Sequence, residues 1–353
     1  MDSSRIDKHC QVTVGEPHNP KSPKYVEVYA HRGVRSYSPE NTIPSFATAL
    51  VVGADWLDID IGMTADGVIV ASHDPWLNPD IVSKNGAFWA LSKGDFIAAH
   101  SGNFHEAVDP YLLYKLSLKE VKQFEVGIIN LKSAYSHYFP DQLHVPGTAI
   151  PTLQEVIDFA SRITNNQINY QIEIKNEVTQ PDWTASPKEL ASAVYTILKS
   201  NDLIGKVEVQ SFDWNCLFEL QKIDKKMKTA YLFGAMERSR MRHPDPIEAG
   251  LLSRGKLLKE YNHSFPQMIK SLGGSCYEPE DITLTKEELD EAHQLGLKVV
   301  VWTWPENTGR VFDSKLVRKL IDWGVDGIIT DDPGQLISLL AARGMRVPAS
   351  YRL

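Results

Sequence analysis

Cysteine is scarce in this chain. Three occur in 353 residues, Cys10, Cys216 and Cys276, widely separated and without a CxxC pair. That pattern excludes a disulfide framework and a cysteine-built zinc site, and leaves two core thiols and one in a polar N-terminal stretch. No apolar run approaches the roughly 18 residues that would suggest a membrane span. Basic residues are in deficit, 37 Lys and Arg against 45 Asp and Glu, for a net charge of −8. A nucleic-acid-binding surface is therefore not expected, since phosphate backbones call for basic patches. A small phosphate substrate remains compatible, because a bound metal inverts the local field. Residues 1–24 lack the apolar core of a signal peptide and are rich in Pro, Ser and Lys, so they read as a loose arm. As written the chain is expected in the cytoplasm; a periplasmic or secreted location follows if a signal peptide has been removed.

What the chain does have is an alternation of short apolar, β-branched runs with helical patterns. Eight runs read as strands, at 26–31, 56–63, 168–175, 207–212, 229–233, 275–278, 298–304 and 327–330. Helical patterns fall at 44–52, 153–163, 188–199, 214–223, 286–295 and 316–323. Buried strands alternating with helices give a parallel sheet, and eight such units predict an α/β fold, a (β/α)8 TIM barrel. The barrel is assigned to residues 25–343, with 344–353 as a C-terminal tail. No internal repeat is visible.

Two intervals break the rhythm. Asp66-Gly67 predicts a tight hairpin leading into 68–73. Residues 75–150 then show no βα unit but many aromatics, from Trp76 and Trp89 to Tyr135 and Phe139. Such a segment is expected to pack rather than stay disordered, and its place after strand two sets it over the C-terminal face of the barrel, where active sites form. The stretch 238–265 is basic and Gly-punctuated, and its pattern assigns it to no element.

Side-chain alternation makes the chemical argument. Residues i and i+2 of a strand share a face, so Asp58 and Asp60 point together while Leu57, Ile59 and Ile61 point at the helices. Glu173 and Lys175 form a second such pair. Three carboxylates converging at the barrel mouth repel one another and resist ionisation unless a cation joins them. Oxygen ligands alone suit Mg²⁺ or Ca²⁺ rather than zinc. The bland alternatives are a hydrogen-bonded polar interior and a structural Glu173–Lys175 pair. His31 and His73 each end a strand beside acidic groups, which suits general acid–base work near neutral pH. Arg32 offers a planar fork to phosphate oxygens, and Gly33 permits a positive φ or close backbone approach. Ser38 or Asn41 is the expected cap of the first helix, with Pro44 in its first turn.

Taken together, His31-Arg32-Gly33, Pro39-Glu40-Asn41-Thr42, Asp58-x-Asp60, Thr64-x-Asp66-Gly67 and His73-Asp74 resemble the glycerophosphodiester phosphodiesterase family, in its larger bacterial type with a long insertion. The similarity continues through PTLQEV at 151–156, VEVQSFDW at 207–214, KVVVWTW at 298–304 and GVDGIITDDP at 324–333. The resemblance implies that His31 and His73 are the acid–base pair, and that Asp58, Asp60 and Glu173 bind one divalent cation. It makes Glu40 a further ligand or close neighbour. It also implies that Lys175 contacts phosphate and that Trp302 flanks a glycerol moiety. One departure stands out: the family usually carries glutamate where this chain has Asp58.

The expected activity is metal-dependent hydrolysis of glycerophosphodiesters to glycerol 3-phosphate and an alcohol, with a small-molecule substrate and no nucleic-acid partner. One alternative is a phospholipase D-like activity on lysophospholipids or sphingomyelin. Another, of a different class, is an aldolase-like enzyme using Lys175 as a Schiff-base nucleophile.

Overall fold

The computed structural model describes residues 25–305 and 309–353. The arm expected at 1–24, with Cys10, lies outside the described residues. Eight parallel strands close a barrel in chain order: β1 (Glu27–His31), β2 (Trp56–Met63), β6 (Asn169–Ile174), β7 (Val207–Ser211), β8 (Lys228–Phe233), β9 (Cys276–Pro279), β10 (Lys298–Trp302) and β11 (Gly327–Thr330). The ring shuts where β1 pairs with both β11 and β2. The (β/α)8 expectation holds, with all eight strands where the apolar runs fall. Strand β3 (Ile69–Ala71) folds back antiparallel on β2 through the expected turn, in which Gly67 takes φ 79° and donates to Thr64. Two short strands, β4 (Ser83–Lys84) and β5 (Ala87–Phe88), pair within the insertion.

The six predicted helices form, with ends set by caps. Thr152 and Glu155 make a reciprocal capping box on Leu153–Thr164, and Ser186 and Glu189 do the same on Pro187–Ser200. Each box satisfies two otherwise orphaned backbone donors, and such a cap contributes about 1 kcal/mol. The first helix, Ile43–Val52, is capped by Thr42 rather than by Ser38 or Asn41. The helix Pro333–Ala342 was not among the predicted six, although Asp332 at its cap and Pro333 in its first turn are standard start signals. The unassigned stretch resolves into short helical turns: Ala235–Arg240, Pro246–Gly250, Leu251–Ser253 and Leu258–Tyr261. The C-terminal tail returns to the barrel's first helix, where the Tyr351 N–H donates to the Leu50 carbonyl.

Alternation along the strands divides the core. Leu57, Ile59, Ile61, Ile172 and Ile174 face outward into the apolar layer beneath the helices. Their neighbours face the barrel axis. Tyr29 stacks on Trp56 at 5.1 Å near the N-terminal end and plugs it. Register then sets polar groups at matched heights above the plug: His31 beside Asp58, Asp58 beside Gln171, Asp60 beside Glu173, and Glu173 beside Gln210.

The insertion at 75–150 is packed, as its aromatics imply. Trp76, Phe96, Val108 and Leu112 form a cluster that also buries Trp183 from the loop after β6. Trp76 meets Trp89, Phe96 and Phe104 at 5.7–5.9 Å, and Trp89 stacks on Tyr111. Trp76→Ala removes the hub of this cluster and is expected to cost about 3–5 kcal/mol, the usual range for emptying a buried large aromatic site. Urea unfolding followed by far-UV circular dichroism measures it; a midpoint equal to that of the parent would show that the cluster is not part of the cooperative core.

Candidate active site

The site is built on a strained turn. Arg32 and Gly33 both have positive φ, at 53° and 89°. A Cβ on Gly33 would lie 2.3 Å from Ser45 Oγ, so no other residue fits there. Ser45 Oγ in turn donates to the Arg32 carbonyl and accepts from the Val34 N–H. The turn projects Arg32 back across the barrel mouth, where its Nη1 donates to Glu40 at 2.8 Å and its Nε lies 3.0 Å from Asp60. Asn41 fixes the same carboxylate from the other side: its amide donates to Asp60 Oδ2 at 2.8 Å and its carbonyl accepts from the Asp60 N–H.

His31 is oriented by a residue that the sequence motifs do not single out. Its Nδ1 lies 2.7 Å from Asp331 Oδ1, and Asp331 also accepts two 2.8 Å hydrogen bonds from Arg35. Arg35 and Asp331 are fully buried. The fork of Arg35 fills the carboxylate, so the remaining interaction requires a proton on His31 Nδ1 and turns Nε2 toward the mouth. Burial lowers the His31 pKa and the nearby arginines add to this, against the pull of Asp331. His73 stands opposite, with Nδ1 3.6 Å from Asp74. Asp74 is itself held by Lys93 of the insertion and by Asn78. Burial, Arg32 and Lys175 bring His73 down to about 4. Both imidazoles are therefore held below the ordinary histidine range.

Asp58, Asp60, Glu173 and Lys175 converge as their alternation implies. Lys175 Nζ lies 3.1 Å from Asp60 and 2.5 Å from Glu173. Burial raises Asp60, yet Lys175 and Arg32 hold it well below the usual carboxylate range. Asp58 gets less relief, from Lys175 alone. Burial, with Asp60 and Glu173 alongside, pushes its carboxyl well up, and its one strong partner is the Gln210 amide at 2.7 Å. Burial also lifts Glu173 to about 7 against the pull of Lys175.

The charge balance around this centre is informative. Six carboxylates stand here (Glu40, Asp58, Asp60, Glu173, Asp74 and Asp331) against four cations, Arg32, Arg35, Lys93 and Lys175. With all six ionised the excess is two negative charges, shared among Asp58, Asp60 and Glu173 around the single Lys175, and Gln210 Oε1 beside Asp58 is buried without a hydrogen-bond partner. An all-oxygen donor set with that deficit fits one divalent cation.

Glu40 Oε1 accepts from Arg32 and its Oε2 from the Tyr135 hydroxyl of the insertion, while Arg35 stands 3.8 Å away. These contacts make Glu40 a close neighbour of the carboxylate centre that orients Arg32. A second acidic group, Glu208, Cys276 and Glu278, has its ligand atoms within 4.8 Å of one another deeper in the barrel and could hold a cation. Lys298, 3.2 Å from Glu208, already supplies a positive charge there.

His31, Arg32, Asp58, His73, Glu173 and Lys175 line one cavity of about 40 Å³, closed on its far side by Trp302 and Trp304. Trp302 is pinned by a 3.2 Å hydrogen bond from its indole to the Glu278 carbonyl, and it passes so close to Gly234 that a Cβ there would stand 3.0 Å from the ring. Trp304 lies over Arg32 and Arg35 at 5.7 and 5.4 Å. The insertion flanks this mouth without lining it. It touches the centre through Tyr135 and Lys93, and through Gln142, whose amide donates to the Arg35 carbonyl.

With this geometry in place, the profile of the glycerophosphoryl diester phosphodiesterase family matches residues 31–335. The chain belongs to that family. It is 25% identical over 327 residues to the glycerophosphodiester phosphodiesterase of Bacillus subtilis (strain 168), covering 91% of this chain and 89% of that protein. A crystal structure of a putative glycerophosphoryl diester phosphodiesterase from Silicibacter pomeroyi DSS-3 shares 27% identity and superposes with a TM-score of 0.74, covering 92% of this chain and 96% of that one. The fold is shared at 20% identity and TM-score 0.60 with an Oleispira antarctica phosphodiesterase in complex with sn-glycerol-3-phosphate, over 91% and 97% of the two chains.

Asp331→Asn tests the orientation of His31. The amide presents a donor to Nδ1 and favours the wrong tautomer, so kcat is expected to fall by about 10² or more with little change in KM. Diester turnover measured where circular dichroism shows the variant folded decides the point; a parental kcat would remove Asp331 from the mechanism.

Proposed function

We propose that this phosphodiesterase hydrolyses glycerophosphodiesters to glycerol 3-phosphate and an alcohol. The observation that carries the reading is the convergence of His31 and His73 on one cavity that Arg32, Lys175, Asp58 and Glu173 also line, with Asp60 paired to Arg32 and Lys175 beside it. Arg32 and Lys175 receive the non-bridging oxygens of the diester. One imidazole removes the proton from the attacking hydroxyl, of water or of the glycerol itself, as the new P–O bond forms. The other gives a proton to the leaving alkoxide as its P–O bond breaks. Asp331 and Asp74 hold the two rings in place for these transfers. Trp302 lies where it flanks the glycerol.

Asp58, Asp60 and Glu173 would hold one Mg²⁺ or Ca²⁺. When bound, such an ion acts as a Lewis acid toward phosphoryl oxygen and lowers the pKa of an attached hydroxyl. Two of the alternatives weighed above separate here. Family membership and the double ion pairing of Lys175 set aside the Schiff-base aldolase. Lysophospholipid cleavage stays within the same chemistry and is a matter of substrate range.

Two measurements test the reading. His31→Ala and His73→Ala are each expected to lower kcat by about 10² or more. Diester hydrolysis assayed on both variants checks this, and a near-parental rate in either releases that histidine from its role. The second concerns metal and pH. Glu173, lifted to about 7, stabilises the fold in its protonated form. That contribution is present at acid pH and is lost as pH rises through 7. A divalent ion competes with the same proton, so its stabilisation is larger when the carboxyls are ionised. The rise in Tm on adding Mg²⁺ or Ca²⁺ to chelator-treated protein is expected to be greater at pH 8 than at pH 5.5. Equal increments, or none, with activity that survives chelator, would falsify the metal assignment.

A further inference from the structure

A second cavity, of about 260 Å³, opens beside the reaction centre and shares His73, Glu173, Lys175 and Phe212 with it. Its outer wall comes from the loops that follow β6 and β7, through Asn176, Glu177, Thr184 and Asp213; of the insertion only Pro75 reaches it. A diester seated on Arg32 and Lys175 must send one of its two ester substituents past His73 into this space. The other then faces Trp302 and Trp304.

The charge of the wall is one-sided. Asp74 is answered by Lys93 and Glu173 by Lys175. The outer two carboxylates take their hydrogen bonds from neutral donors, and Asp213 also feels the more distant Arg254. Asp213 accepts from the amides of Asn176 and Asn215, each at 2.6 Å, and Glu177 accepts from Thr179 Oγ1 at 2.6 Å. Thr184 Oγ1 completes the scaffold, donating to Asn176 and accepting from the Glu177 N–H. Asp213 is buried, so its field is weakly screened, and the ring of Phe212 lies next to it in the chain and on the same wall. Carboxylates beside an aromatic face, in a cavity large enough for a small head group, are the recognition chemistry of an ammonium ion.

We propose that this cavity receives the leaving alcohol and selects a cationic amino alcohol, quaternary or primary, over neutral polyols and zwitterionic heads. The inference rests on the phosphodiesterase reading above and names its substrate class. It places the selectivity on Glu177 and Asp213, in the loops after β6 and β7, and not on the long insertion, of which only Pro75 lines the cavity.

The test compares kcat/KM of the full chain with Mg²⁺ on glycerophosphocholine, glycerophosphoglycerol and glycerophosphoserine at one pH and ionic strength. The choline diester is expected to exceed the glycerol diester by about fivefold, the scale of one partly exposed charge interaction, with the serine diester lowest. Glu177→Lys should reduce the choline-to-glycerol ratio by about tenfold, and Glu177→Gln by less. Asp213→Asn, which keeps a good helix cap, should also reduce it. Added NaCl should narrow the ratio in the parent protein. Should the lysine variant not fold, the two amide variants and the salt series carry the decision. Turnover of all three diesters with equal kcat/KM, a ratio unmoved by the substitutions and by salt, or a preference for lysophospholipid would overturn the subsite and leave the phosphodiesterase reading standing. No turnover of any diester overturns both.

Discussion

Asp331 closes the barrel chemically where β11 and β1 close it topologically. One buried carboxylate receives the fork of Arg35 and the Nδ1 proton of His31, so the end of the last strand positions the histidine that ends the first. The arrangement works because Asp331 stays ionised: burial opposes its charge, but Arg35 and His31 hold its pKa far below the ordinary value. Everything at the mouth depends on that fixed point. Arg35 also carries the stacking of Trp304 and Phe139, and it contributes to the field that keeps Glu40 ionised beside Arg32. Removing one member of such a buried set leaves the others charged and unpaired, which is far costlier than never having built it.

The two histidines occupy unlike settings. His31 is enclosed and tied to a carboxylate that is saturated by arginine. His73 keeps about a quarter of its side chain open and is tied to Asp74, which answers to Lys93. The enclosed ring has its tautomer imposed, while the open one faces the cavity through which a product must leave. Under the proposed mechanism, that asymmetry would separate the two proton-transfer positions before any substrate binds.

Much of this was legible in the sequence, for local reasons. Period-two alternation put Asp58 with Asp60 and Glu173 with Lys175, and register then brought the pairs level. The barrel strands showed as apolar runs because both of their faces are buried. The remainder depends on closure over long chain separations. Asp331 is 300 residues from His31, and only the finished ring makes them neighbours. Tyr135 lies in a segment without periodicity, so nothing local marks its hydroxyl as the partner of Glu40. The motif marked Glu40 as a ligand or close neighbour of the centre; it could not show the two donors, neither adjacent in sequence, that meet its oxygens. The cap of the first helix went to Thr42 because Asn41, with φ 53°, is turned back to Asp60 and is not free to start a helix.

The insertion enters through the β2–β3 hairpin and leaves all eight barrel registers untouched. In that sense it is a module, and chains of this family could gain or lose such a segment without refolding the barrel. Tyr135 makes the exchange less than neutral. A replacement segment lacking a hydroxyl at that point would strip Glu40 of a donor and loosen its hold on Arg32. Grafting between members of the family is therefore constrained to conserve one phenol, or its equivalent, however freely the rest of the segment is rewritten.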